Sequence, residues 1–173
     1  DVFVSDEQRL GPEGEGFKLV MEAFNQSRPI IAARGVGLAQ GATDLAVNYV
    51  REREAFGQAI AGFQGVQWML ADMAMQTEAA RHLTYKAAAL VDQGFTGRAL
   101  APHVAMAKCF ATDVAMKVAT DALQLWGSAG ISMDNPIARY FRDAKVLQIV
   151  EGTNQIQRNI IGRHVVNSTD LIR

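Results

Sequence analysis

The residues best suited to chemistry lie in one short stretch, Val150-Glu151-Gly152-Thr153-Asn154-Gln155-Ile156-Gln157-Arg158. Glu151 stands at the junction between a loop and a helical pattern, where its carboxylate can project into a cleft. Gly152 has no Cβ, so the backbone there can approach a ligand closely. Thr153 or Asn154 can cap the helix that follows, leaving its first N–H groups available as donors. A base, a close-approach glycine and backbone donors together suit removal of a proton beside a carbonyl. The same residues also describe an ordinary Glu-Gly turn with an N-cap, and spacing alone does not separate the two.

Other chemistries find less support. The single cysteine, Cys109, lies inside a helical pattern with no activating partner, and reads as a small packing residue. His82, His103 and His164 are isolated, so no metal-ligand spacing is recognisable. A net charge of −1 offers no surface for nucleic acid. No apolar run approaches the roughly 18 residues that would cross a bilayer. With 49% hydrophobic and 20% charged residues, the 173-residue chain has the composition of one ordered globular domain.

The elements that must position Glu151 are helical. Residues 17 to about 54 show helical spacing, with Phe17, Val20, Met21 and Phe24 followed by Leu38, Ala42, Leu45 and Tyr49. Pro29 lacks an N–H and predicts a kink or a division. Residues 32–42 are dense in alanine and glycine, which suits close approach of another helix. After a loop at Phe56-Gly57-Gln58, a second helix is expected over about 63–93, with Val66, Met69, Leu70, Met73, Thr77, Ala80, Ala87 and Val91 on one face. Met69, Met73 and Met75 read as core filling. A third helix is expected over about 99–125, with Pro102 in its first turn and an apolar stripe from Val104 to Leu125. Gly127-Ser128-Ala129-Gly130 ends it, a fourth helix covers about 136–146, and the last runs from 153 to about 164 before fraying. Three long amphipathic helices with short connections predict an all-α, antiparallel up-down bundle. Asp1–Val4 reads as the end of a strand, giving the bundle a short N-terminal extended segment.

Four blocks in order carry a family resemblance. They are Arg51-Glu52-Arg53-Glu54-Ala55-Phe56-Gly57, Gln124-Leu125-Trp126-Gly127-Ser128-Ala129-Gly130, Arg142-Asp143-Ala144-Lys145 and Glu151-Gly152-Thr153-Asn154-Gln155-Ile156-Gln157-Arg158. The last resembles the catalytic segment EGT-x-Q-I-Q-R of acyl-CoA dehydrogenases, and the similarity extends from the first residues to about residue 165. It implies a C-terminal helical bundle over 16–173, with residues 1–15 an extended segment and turn left from a β-domain upstream.

The resemblance also implies roles. Glu151 would be the base that takes the α-proton of an acyl-CoA, while FAD accepts the β-hydride. Some family members carry the base on the first helix instead; that position is Ser27 here, which is not acidic. Asn25, Arg28 and Gly152 match substrate-binding positions, although an acidic residue is frequent where Asn25 stands. Arg53, Phe56 and Gln64 match residues that reach the flavin of a neighbouring subunit, with Ala55 replacing a common threonine. Gln124, Gly127 and Ser128 match an adenosine-contacting segment, and Thr153 and Gln155 match residues that contact the flavin from the base's own side. Val150 replaces a frequent aromatic residue, which would open the acyl pocket. The implied partners are an acyl-CoA, further copies of the chain as a dimer or tetramer, and an electron-transfer flavoprotein as acceptor. The implied compartment is the cytoplasm in a bacterium or the mitochondrial matrix in a eukaryote. An oxidase on the same fold and a helical module without chemistry are the alternatives. The second of these would scatter Glu151, Arg53 and Gln124 over no common groove.

Overall fold

The computed structural model describes residues 1–168. Three long helices, α1 (Gly16–Glu52), α2 (Gln64–Asp92) and α3 (Gly97–Trp126), are followed by a single turn, α4 (Ser128–Ile131), then α5 (Ile137–Ile149) and α6 (Asn154–Asn167). The long helices alternate in direction. Gly35 of α1 faces Ala111 of α3 while Tyr49 stacks on Trp126, so α1 and α3 run the same way and α2 returns between them. Helices α5 and α6 then cover α3 in succession.

The contact between α1 and α3 follows from residue size. Ala32, Gly35, Val36, Ala39, Ala42, Ala46 and Val50 are buried along α1 at three- and four-residue steps, opposite Val104, Ala107, Ala111, Val114, Val118 and Ala122. Small side chains let the two backbones come close. A Cβ built on Gly35 would lie 2.8 Å from the carbonyl oxygen of Ala111. Buried threonines in this interior satisfy their hydroxyls within their own helices: Thr43 donates to Ala39, Thr77 to Met73 and Thr84 to Ala80.

Several expectations change. Pro29 neither ends nor divides α1, which is continuous across it. One lost backbone bond is outweighed by burial of Pro29 itself and of Ile31, Ala32, Gly35 and Val36 just beyond it. Pro102 is the sixth residue of α3, because that helix begins two residues earlier than its apolar pattern. Phe17 is 78% exposed and Val20 is exposed too, so the buried face of α1 is its alanine stripe rather than the larger apolar residues at its start. Met75 is also exposed and fills no core, whereas Met73 is fully buried. Asp1–Val4 forms no strand and is exposed. The loop at 56–58 is a small antiparallel hairpin, β1 (Glu54–Ala55) with β2 (Gln58–Ala59), turning through Phe56 and Gly57, both at positive φ. The last helix extends to Asn167, and the fraying expected of the end of the chain concerns residues that, from 169 onward, lie outside the described ones.

Gly35→Ala tests the α1–α3 contact. Its methyl would meet backbone that cannot rotate away, so stability should fall by about 1–3 kcal/mol, the usual cost of overpacking. Urea unfolding followed by circular dichroism measures this directly, and an unchanged midpoint would show that the helices can separate without cost.

Candidate active site

Loop 150–153 joins α5 to α6 and crosses the start of the long-helix interior. Glu151 (φ 57) and Gly152 (φ 85) are consecutive residues in the left-handed region. Glycine is suited to that conformation, whereas glutamate adopts it only where its surroundings hold it. The holding groups are hydrogen-bond donors. Gln157 Nε2 donates to the carbonyls of Glu151 (3.2 Å) and Gly152 (2.9 Å), Arg28 Nε donates to the carbonyl of Glu151 (3.4 Å), and Lys108 Nζ donates to that of Gly152 (3.0 Å). Thr153 then caps α6, its hydroxyl accepting from the N–H of Ile156 at 3.4 Å.

This backbone turn brings the Glu151 carboxylate to α1. Ser27 Oγ donates to its Oε2 at 2.6 Å. Among the described residues Oε1 has no hydrogen-bond partner, so it is available to take a proton. Asn25 and Arg28 lie beside it, with Arg28 Nη1 donating to Asn25 Oδ1 at 3.0 Å. Arg28 is only 2% exposed and so is no solvated surface residue. Burial lowers its guanidinium below the usual range, opposed by the charge of Glu151.

Beneath the loop lies a polar cluster that the sequence did not announce. Lys108 on α3 is fully buried, and its ammonium also donates to Asn154 Oδ1 at 2.8 Å. Burial brings its pKa down to about 8, with Arg28 pulling the same way and Cys109, Asp113 and Glu151 opposing. Asn154, the first residue of α6, turns inward and donates to Thr112 Oγ1 (2.8 Å), Asp113 Oδ1 (2.7 Å) and the carbonyl of Cys109 (3.3 Å). Gln148 and Arg158 also donate to Asp113. Burial alone would raise the Asp113 carboxyl, but the bonds from Arg158, Asn154 and Gln148 hold it below the usual carboxylate range. Lys108, Thr112, Asp113 and Gln148 lie on helices whose apolar periodicity says nothing of their partners. Only the improbability of an internal lysine and threonine amid alanines could have flagged them.

The site residues expected from the sequence fall into two groups. Asn25, Arg28, Glu151, Gly152, Thr153 and Gln155 gather around loop 150–153. Arg53, Phe56, Gln64, Gln124, Gly127 and Ser128 belong to the opposite end, where the hairpin meets the close of α3. The 25 residues of helix from Arg28 to Arg53 separate the groups by about 38 Å at 1.5 Å per residue. Glu151 therefore shares no groove with Arg53 and Gln124 within one chain, which is the arrangement expected of a helical module without chemistry and equally that of a site divided between two copies. At the second end Phe56 is 96% exposed on a strained turn, and Arg53 is exposed without an ion pair among the described residues. Beside Gly127, the indole N–H of Trp126 is buried without a partner among the described residues. An unsatisfied donor, an uncovered ring and a lone guanidinium fit one end of a large, flat anionic cofactor such as FAD.

Comparison with known proteins agrees in kind. The family model of the acyl-CoA dehydrogenase C-terminal domain matches residues 14–166. The chain belongs to the acyl-CoA dehydrogenase family. A Mycobacterium tuberculosis protein named as a probable acyl-CoA dehydrogenase is 51% identical over 154 residues, covering 89% of this chain and 39% of the relative. The structure of butyryl-CoA dehydrogenase from Megasphaera elsdenii superposes with a TM-score of 0.90 at 43% identity, over 94% of this chain and 42% of that one. A structure reported under the name of an electron transferring flavoprotein of Acidaminococcus fermentans gives 0.91 at 48% identity, over 95% and 43%. The chain thus spans about two fifths of the length of the relatives it matches. Among the described residues, no helix of this acyl-CoA dehydrogenase domain is long and apolar enough to cross a membrane.

Asp113→Ala should loosen α6 by leaving Arg158, Asn154, Gln148 and the weaker donor Cys109 without their acceptor, at a cost of about 1–3 kcal/mol near neutral pH. Because folding depresses the Asp113 pKa, its contribution is present above the unfolded carboxylate value and lost as pH falls through the lower folded value. The gap between wild type and variant in urea unfolding should therefore narrow on acidification below about pH 4. A gap independent of pH would show that the charge of Asp113 has no part in it.

Proposed function

We propose that this chain is the C-terminal part of an FAD-dependent acyl-CoA dehydrogenase in which Glu151 removes the α-proton of an acyl-CoA thioester. The observation that carries the reading is the carboxylate of Glu151, fixed on a left-handed turn by donors to its own backbone, with Oε2 bound to Ser27 and Oε1 open. A rigid base with one unoccupied oxygen meets the geometric requirement for proton abstraction. FAD, when bound, would accept the hydride from the β-carbon.

The remaining roles belong to residues of this chain. Ser27 fixes the rotation of the carboxylate, so the lone pairs of Oε1 keep one direction. Arg28 and Asn25 place a buried cation and an amide beside the base, suited to the oxygens of the acyl-CoA. Gly152 keeps the backbone beside the carboxylate free of a side chain. Thr153 and Gln155 would meet the cofactor next to the base, whereas Arg53, Phe56, Gln64, Gln124, Gly127 and Ser128 would hold that of a second copy. The separation of about 38 Å between the two groups supports this division and, with it, a homo-oligomer, dimer or tetramer. An electron-transfer flavoprotein is the proposed acceptor, and a bacterial cytoplasm or a mitochondrial matrix the proposed setting.

In the full-length protein, Glu151→Gln should keep FAD and fold but slow acyl-CoA-dependent flavin bleaching by about 100- to 10,000-fold. Bleaching at the wild-type rate would remove Glu151 from the role. The 173-residue chain alone presents only parts of two cofactor sites, so it should purify colourless while melting cooperatively as a helical protein. Stoichiometric flavin on the isolated bundle would contradict the division of the site.

A further inference from the structure

We propose that Lys108 is a positioning residue for the base, its buried ammonium holding loop 150–153 in the one backbone conformation that presents the Glu151 carboxylate. The inference rests on the functional reading of Glu151 given above. Lys108 touches neither the carboxylate nor the cofactor-binding residues; it acts through the carbonyl of Gly152 and the side chain of Asn154. Those two contacts lie on either side of Thr153, so a single cation on α3 ties the end of the loop to the start of α6. The left-handed φ of Glu151 is unfavourable for a residue with a side chain. Without the ammonium, the Gly152 carbonyl keeps only Gln157, and Asn154 Oδ1 keeps only the longer bond from Thr112 Oγ1 at 3.2 Å. Extended backbone at Glu151 would then compete, turning the carboxylate away from Ser27.

Protonation of Lys108 adds a signature that mere packing would lack. The ionisable groups acting on it are Arg28 from α1, Cys109 and Asp113 from its own helix, and Glu151 from the loop. From α5 the polar neighbour of this cluster is the uncharged Gln148, and from α6 Arg158 is neutralised by Asp113. With a pKa of about 8, the ammonium becomes an amine as pH rises through that value. An uncharged amine is a weaker donor than an ammonium, so the hold on the loop should slacken on the alkaline side.

The test uses the full-length, FAD-loaded protein, with butyryl-CoA or whichever straight-chain acyl-CoA bleaches the wild type fastest. Lys108→Met should slow flavin bleaching at saturating substrate about 10- to 100-fold, as expected for a displaced catalytic group. Half-saturation and FAD content should change less than the rate, since Asn25, Arg28 and the cofactor residues at the far end of the bundle make no bond to Lys108, and only Gly152 and Thr153 share the loosened loop. The wild-type rate should also fall with a midpoint near pH 8, and this limb should be missing from the variant. Should the methionine variant fail to fold, Lys108→Gln, which keeps one N–H donor without the charge, takes its place with the same expectation for the limb. Bleaching close to the wild-type rate, or an identical alkaline limb in wild type and variant, would overturn the role of Lys108. Glu151→Gln is measured alongside. If it is inactive while the Lys108 variant is normal, the base stands and Lys108 falls; if it bleaches normally, the functional reading fails and this inference with it.

Discussion

The close contact between α1 and α3 is the constraint on which the rest of the molecule depends. Where the backbone of Gly35 meets that of Ala111, no side chain keeps the helices apart. Polar residues near this contact, Ser27 and Arg28 two turns before it on α1 and Lys108 and Thr112 within a turn of it on α3, consequently face one small region. Loop 150–153 crosses there, and it finds donors from two different helices within reach of its carbonyls. Wider spacing with larger residues would leave those carbonyls to water, and the left-handed turn at Glu151 would have nothing to impose it.

Charge burial in this region is balanced by hydrogen bonding rather than by simple ion pairs. Lys108 is directed at a carbonyl and an amide oxygen, and Arg28 at another carbonyl and another amide oxygen. Each cation therefore has acceptors, while the negative groups that offset it, Glu151 and Asp113, are themselves bound by donors. A buried polar group is costly chiefly when it is unpaired. Among the charged members the carboxylate of Glu151 keeps an oxygen that no described donor binds, which is where reactivity should reside.

The helices were legible because apolar residues on α2 and α3 recur at helical spacing over many turns, and Glu151 because its neighbours match a known segment. Ser27 and Glu151 entered the sequence reading as alternative positions for one base; in the structure they are hydrogen-bond partners, which no linear comparison could show. The alanine and glycine run of α1 was read as a close-packing surface, and it is one. Phe17 and Val20 misled because periodicity cannot distinguish a face turned to the interior from one left exposed. Pro29 misled because its local cost was weighed without the burial around it. The cluster of Lys108, Thr112, Asp113 and Asn154 was invisible for a deeper reason. Asn154 lies more than 40 positions from the other three, and each alone is a common polar residue of a helix.

Cys109 gives this architecture a chemical handle. It is the only thiol in the chain, 5% exposed, with Sγ 3.7 Å from the carbonyl oxygen of Asn154. Burial and the neighbouring Asp113 push its pKa up, so the unreactive protonated thiol prevails. Reagents that consume thiolates should therefore register it mainly when the start of α6 lifts from α3. Alkylation of one sulfur atom then becomes a clock for local opening, counting how often the segment that carries the carboxylate lets go while the long helices stay folded.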